Sequence, residues 1–90
     1  QSIELQQSEW VVYNFESLYR KKHQLTIRAS AVIAPASLTI WINNKKTVVN
    51  VIGKDLLEQA IGNYKLNKGD NKIKIQVKSG TLKLDWFRFN

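Results

Sequence analysis

Few side chains in this sequence combine chemical capability with a telling position, and Trp41 is the clearest. In "SLTIWIN" Leu38, Ile40 and Ile42 alternate with Thr39, Trp41 and Asn43. Successive side chains of a strand point to opposite faces, so Trp41 lies on the face away from the apolar one. An outward indole suits stacking on the C–H groups of a pyranose while the hydroxyls meet polar neighbours; the alternative is an indole covered by a loop or a partner domain. Tyr19 and His23 bracket "YRKKH", where Arg20, Lys21 and Lys22 make a basic loop between strands. Such a loop is either a contact for a carboxylate or sulfate, or a solvated tip. Lys72, Lys74 and Lys83 fall on one face of an expected C-terminal hairpin, with Lys78 at its tip, a positive patch for acidic chains unless solvated.

Catalytic chemistry has little to work with. There is no Cys, one His and seven acids, none singled out by spacing as a general acid or base, so the chain reads as a non-enzyme. One His without a second His or Cys is no metal site. The net charge of +7 invites a polyanion, but eleven of the fourteen basic residues are Lys. Arg, the better reader of phosphate and bases, is scarce, and nucleic acid is not expected. No run approaches the roughly 18 apolar residues of a membrane helix. Ninety residues make one domain, 1–90, and the initial Gln suggests a piece of a longer protein.

These residues must be positioned by strands. "EWVVYNF", "HQLTIRASAV", "SLTIWIN", "TVVNVI" and the last twenty residues are rich in β-branched and aromatic residues, mostly with period two. Pro35 in "IAPAS" marks a turn or loop. "KDLLEQAIG" holds Asp55 and Glu58 at capping-box spacing and reads equally as a short helix or a bulged strand over 55–61. Ser79-Gly80 fits a two-residue hairpin turn. That register pairs Val77 with Leu82, Ile75 with Leu84, Ile73 with Trp86 and Lys74 with Asp85, and leaves Phe87 and Phe89 on the second face. The fold class is an all-β sandwich.

Three motifs carry a resemblance. "GDNKIKIQVKSGTLKLDWFRF", "SEWVVYNF" and "HQLTIRAS" resemble segments of family 6 carbohydrate-binding modules, which are related to family 35 modules and galactose-binding-like folds. The resemblance spans residues 9 to 89. It implies a jelly-roll β-sandwich of two antiparallel sheets and a non-catalytic module. The module would bind a polysaccharide, with the lysines favouring an anionic one, and would target a parent glycoside hydrolase or lyase. It further implies a secreted or periplasmic bacterial protein, an adjoining catalytic domain and a sheet-face site at Trp41. A structural calcium at Asp85, with Glu4 and Gln6, also follows only from the resemblance. The usual loop-site aromatics are missing, and Lys83 replaces the sugar-binding Asn. One alternative is a structural module whose outward Phe87 and Phe89 pack on a catalytic domain. A weaker one is a charge-driven polyanion binder.

Overall fold

The computed structural model describes residues 3–17, 22–51 and 57–90. Among the described residues six strands run in order: β1 (Ile3–Leu5), β2 (Trp10–Ser17), β3 (Lys22–Ile42), β4 (Lys45–Val51), β5 (Leu57–Lys65) and β6 (Gly69–Phe89). All pairings are antiparallel. No helix occurs among the described residues. The segment read equally as helix or strand is strand from Leu57 onward, and residues 52–56 lie outside the described residues.

The frame is a ribbon of β3 and β6, each 21 residues long, paired from Leu25–Phe89 to Ile42–Ile73. The ribbon folds in half across residues 33–37 and 79–81. The first layer runs β2, β6, β3, β4 and the second β1, β6, β3, β5, so one continuous sheet curls into a sandwich. The expected hairpin at Ser79-Gly80 is therefore corrected. The reversal is in the predicted place, but its two arms lie in opposite layers and bond to β3 instead of to each other. β3 supplies the ladder partners of Val77, Leu82, Ile75, Leu84, Ile73, Trp86 and Lys74 that the hairpin register had placed on β6 itself.

The fold in the ribbon needs a glycine. At the corner Ile33 pairs with Thr81 and Ser37 with Ser79, so residues 34, 35 and 36 stand opposite Gly80 alone. Pro35 sits in this bulge, where its missing N–H breaks no ladder bond. It therefore bends a continuous strand instead of ending one in a loop. Gly80 has φ +76°, and a Cβ there would lie 2.6 Å from the carbonyl oxygens of Ile33 and Pro35 and 2.9 Å from Ala36 Cα.

A second irregularity settles which way the C-terminal aromatics face. Arg28 pairs with Trp86 and Ala29 with Leu84, leaving Asp85 as an extra residue on β6. A bulge of one residue shifts the alternation by one. Leu82 and Leu84 before it, and Phe87 and Phe89 after it, therefore share the inner face, while Trp86 turns outward. Phe87 meets Tyr13 at 5.3 Å between ring centroids, and Phe89 stacks on Phe15 at 5.0 Å, both across the layers. The expected second apolar face of Phe87 and Phe89 is not present.

The core between the layers is aliphatic. Leu25, Ile27, Ala31, Leu38, Ile40, Ile73, Ile75, Val77 and Leu82 are fully buried, from β3 and β6 in both layers. The alternation read from "HQLTIRASAV" and "SLTIWIN" holds throughout.

Gly80→Ala should lower stability by more than the roughly 1–3 kcal/mol of a strained backbone, because backbone atoms crowd the new methyl. Gly69→Ala is the control. It too has positive φ, +94°, but nothing lies within 4 Å of its Cβ position. In urea denaturation Gly80→Ala should show the much larger drop in midpoint.

Candidate functional site

The outer face of the first layer presents an aromatic strip. By register, Trp10, Gln76, Thr39 and Val48 form one cross-strand row, and Val12, Lys74, Trp41 and Lys46 the next. Trp41 lies, as its alternation predicts, on the face away from the core, and it is half-buried. What covers it is Lys74. Its Nζ stands 5.1 Å from the Trp41 ring centroid and 5.0 Å from that of Trp10, a cation held between two indoles. Trp10 remains 55% exposed, and Val48, at the other end of its row, is equally open at 53%. Lys74 is thus not the partner of Asp85, because the arms expected to bring them together are in different layers. Trp10 was legible too: in "WVVYNF" it alternates against Val11, Tyr13 and Phe15, so it belonged on the same outer face as Trp41.

Asp85 is paired instead with Arg28, whose Nε lies 3.2 Å from Asp85 Oδ2. The ion pair flanks the outward Trp86, over which Arg88 lies at 5.0 Å, and Arg88 in turn meets Glu58 at 3.3 Å. Glu4 is exposed on β1 and opposite Lys83 in register. Gln6 belongs to a tight turn, its backbone N–H donating to Glu9 Oε1 at 2.7 Å. A calcium ion needs six to eight oxygens and would compete with the Arg28 guanidinium for Asp85. Among the described residues no three His or acidic side chains gather around any point. Asp85 is thus held by Arg28, while Glu4 and Gln6 stand on β1 and in the turn that follows it.

The expected lysine patch is divided. Lys72 and Lys74 project from the outer face of the first layer. Lys83 lies beyond the corner, on the outer face of the second. His23 is half-buried opposite Tyr64, sharing the inward face of β3 with Leu25, and its Nε2 is buried without a hydrogen-bond partner among the described residues. It is part of a strand, not of a loop tip. Tyr19, Arg20 and Lys21 lie outside the described residues.

A basin of about 600 Å³ opens at the end of the sandwich remote from the corner, where the β4 edge of one layer faces the β5 edge of the other. Lys22, Lys45 and Lys65 line it, together with Tyr64. Tyr64 is buried, bridges the layers by donating to Thr47 Oγ1 at 2.7 Å, and carries Lys45 Nζ 5.2 Å above its ring. The walls are amides: Asn43 and Asn44 from the β3–β4 turn, Asn63 from β5 and Asn67 from the β5–β6 loop. Sequence reading missed this site because its lysines are far apart in the chain, at 22, 45 and 65.

Asn71 fixes the two loops that form these walls. Its buried amide oxygen accepts from Asn67 N at 2.8 Å and from Asn43 Nδ2 at 3.1 Å. Its amide nitrogen donates to Asn67 O at 2.9 Å and Gly69 O at 3.1 Å. Asn43, at φ +54°, completes the knot by accepting from Lys72 N at 3.0 Å. Asn71→Ala should lose about 1–3 kcal/mol for the polar groups left unpaired. Asn71→Asp should also destabilise, since a carboxylate cannot donate to the two carbonyls. Exposed Asn63→Ala should leave stability in urea denaturation within about 0.5 kcal/mol of the parent.

No family model matches this sequence, and no curated protein does. Solved structures do. A GH26-CBM35 beta-(1,4)-mannanase from Podospora anserina superposes with a TM-score of 0.81 at 26% identity, over 92% of this chain and 19% of that one. A carbohydrate-binding module CBM36 in complex with calcium and xylotriose gives 0.80 at 19% identity, over 97% of this chain and 78% of that one. The CBM36-1 domain of a multidomain xylanase from the hindgut metagenome of Trinervitermes trinervoides gives 0.82 at 17% identity, over 97% and 75%. This chain thus spans most of each CBM36 module but only a small part of the mannanase. The curled two-layer antiparallel sheet is the fold of carbohydrate-binding modules of the CBM35 and CBM36 kind.

Proposed function

We propose that this chain is a non-catalytic carbohydrate-binding module that holds a polysaccharide on the outer face of its first layer. The observation that carries the reading is the Trp10–Lys74–Trp41 strip, two indoles flanking one ammonium on an otherwise regular sheet. The indoles offer apolar planes to pyranose rings, and the Lys74 ammonium and its polar neighbours meet hydroxyls. The similar structures suggest probes: xylotriose, bound by the CBM36 module, and mannan, the substrate class of the mannanase. By the same analogy the module belongs to a secreted or periplasmic polysaccharide-degrading protein and tethers an adjoining catalytic domain to its substrate.

The structural-module alternative drew its force from Phe87 and Phe89 facing outward. Both rings pack inward on Tyr13 and Phe15 as partly buried neighbours of the core, which removes the outward apolar face that this alternative relied on.

Affinity gels and titration calorimetry with xylan, mannan and their oligosaccharides test the proposal. Trp41→Ala and Trp10→Ala should each weaken binding by about tenfold or more, equivalent to at least ~1.4 kcal/mol, with the fold intact by circular dichroism. If the folded protein binds none of these glycans, or if both variants bind as the parent does, the sheet-face site is wrong.

A further inference from the structure

We infer that the basin between β4 and β5 is a second binding site, one that takes an acidic sugar bearing a carboxylate or a sulfate ester. Its place is distinct from the aromatic strip. Lys22 opens β3, Lys45 opens β4 and Lys65 closes β5, so three different strands each bring a lysine to the lining of one cavity. No Asp or Glu lines it among the described residues, so nothing on its walls neutralises these charges. Lysines that merely solubilise a surface have no reason to converge on a concavity, where mutual repulsion raises their free energy. An anion between them removes that repulsion and accepts charge-assisted hydrogen bonds.

The amides identify the rest of the ligand. Asn44, Asn63 and Asn67 each offer both a donor and an acceptor, which suits hydroxyl groups that also do both. A sulfate ion or a phosphodiester backbone presents acceptors only and would leave the amide oxygens to water. The walls are held in place before any ligand arrives: Tyr64 is locked by Thr47 and holds Lys45 over its ring, and Asn71 clamps both rim loops. A volume of about 600 Å³ accommodates one or two sugar rings, within the usual range of small-ligand sites. The sugar character of the ligand rests on the carbohydrate-binding reading, whereas its negative charge rests on the basin alone.

Amide chemical-shift titrations of the full 90-residue chain test this. The probes are a galacturonic acid trimer, a sulfated galactose disaccharide, neutral xylotriose and citrate. An acidic sugar should shift the amides of Asn44, Asn63, Lys65 and Asn67 saturably, and whichever of the two does so names the acidic group. The Lys22→Ala/Lys65→Ala double variant, which spares the Lys45–Tyr64 contact, should weaken that binding by about tenfold or more. The Lys78→Ala/Lys83→Ala variant, matched in charge, should bind as the parent does. Citrate binding as tightly as the sugars would overturn the sugar assignment. Unsaturable shifts spread over all surface lysines, or equal losses in the two double variants, would overturn the site. Xylotriose reports separately on the aromatic strip. Its failure to bind there, with the mannan oligosaccharides failing likewise and an acidic sugar seated in the basin, would sink the sheet-face proposal and leave this one standing.

Discussion

Everything in this molecule hangs on one steric allowance, the missing side chain of Gly80. A two-stranded ribbon of β3 and β6 can bury its apolar face only against something, and here it buries it against itself. Doing so requires a bend sharp enough to lay two arms of about ten residues over each other, within the 37 Å length of the molecule. The two extra β3 residues opposite Gly80 provide slack on one strand, and Gly80 provides closeness on the other. With the bend in place β1, β2, β4 and β5 have edges to join, two in each layer. The outer face of Trp10 and Trp41 and the cleft between β4 and β5 are both products of that doubling.

The Asp85 bulge has a role of the same kind at smaller scale. Were Asp85 paired as a regular ladder residue instead of bulged, Trp86 would enter the core and both phenylalanines would leave it. With it, the two rings close the open end of the sandwich against Tyr13 and Phe15, and the displaced carboxylate lies beside Arg28. The ion pair is partly exposed, with Arg28 at 39% and Asp85 at 22%, so its contribution to stability is small. Its position follows from the phase of the strand, more than from any energetic demand for a charge pair.

The sequence made the period-two elements legible, and with them the core. Leu25, Ile27, Ala29 and Ala31, and likewise Leu38, Ile40 and Ile42, point inward as their alternation implies. Trp41 was legible for the same reason. What could not be read was everything set by a break in period. The pattern around Ser79-Gly80 is identical for a hairpin whose arms pair and for a ribbon whose arms stack, because both reverse direction and both bury alternate residues. Choosing between them needs the partner strand, and β3 is some forty residues away. The bulge at Asp85 was hidden because a strand apolar on both faces looks the same as a strand that shifts phase. The basin was hidden more deeply, since no local pattern links Lys22, Lys45 and Lys65; only the layer-to-layer geometry brings them together.

The β3–β6 ribbon also governs how the chain can acquire its structure. β6 is central to both layers and is the last strand in sequence, with Leu25 paired to Phe89 across most of the chain. On a ribosome, β1 through β5 emerge before the strand that most of them need. Until β6 arrives, β1 and β2 have no partner and one side of β3 lies open, a state of unsatisfied edges that favours association with other chains. Closure then depends on contacts distant in sequence, which places folding among the slower, millisecond-to-second β topologies. A nick or truncation within the last twenty residues would remove the common partner of both layers at once, so loss of structure should be all-or-none and not a fraying of one end.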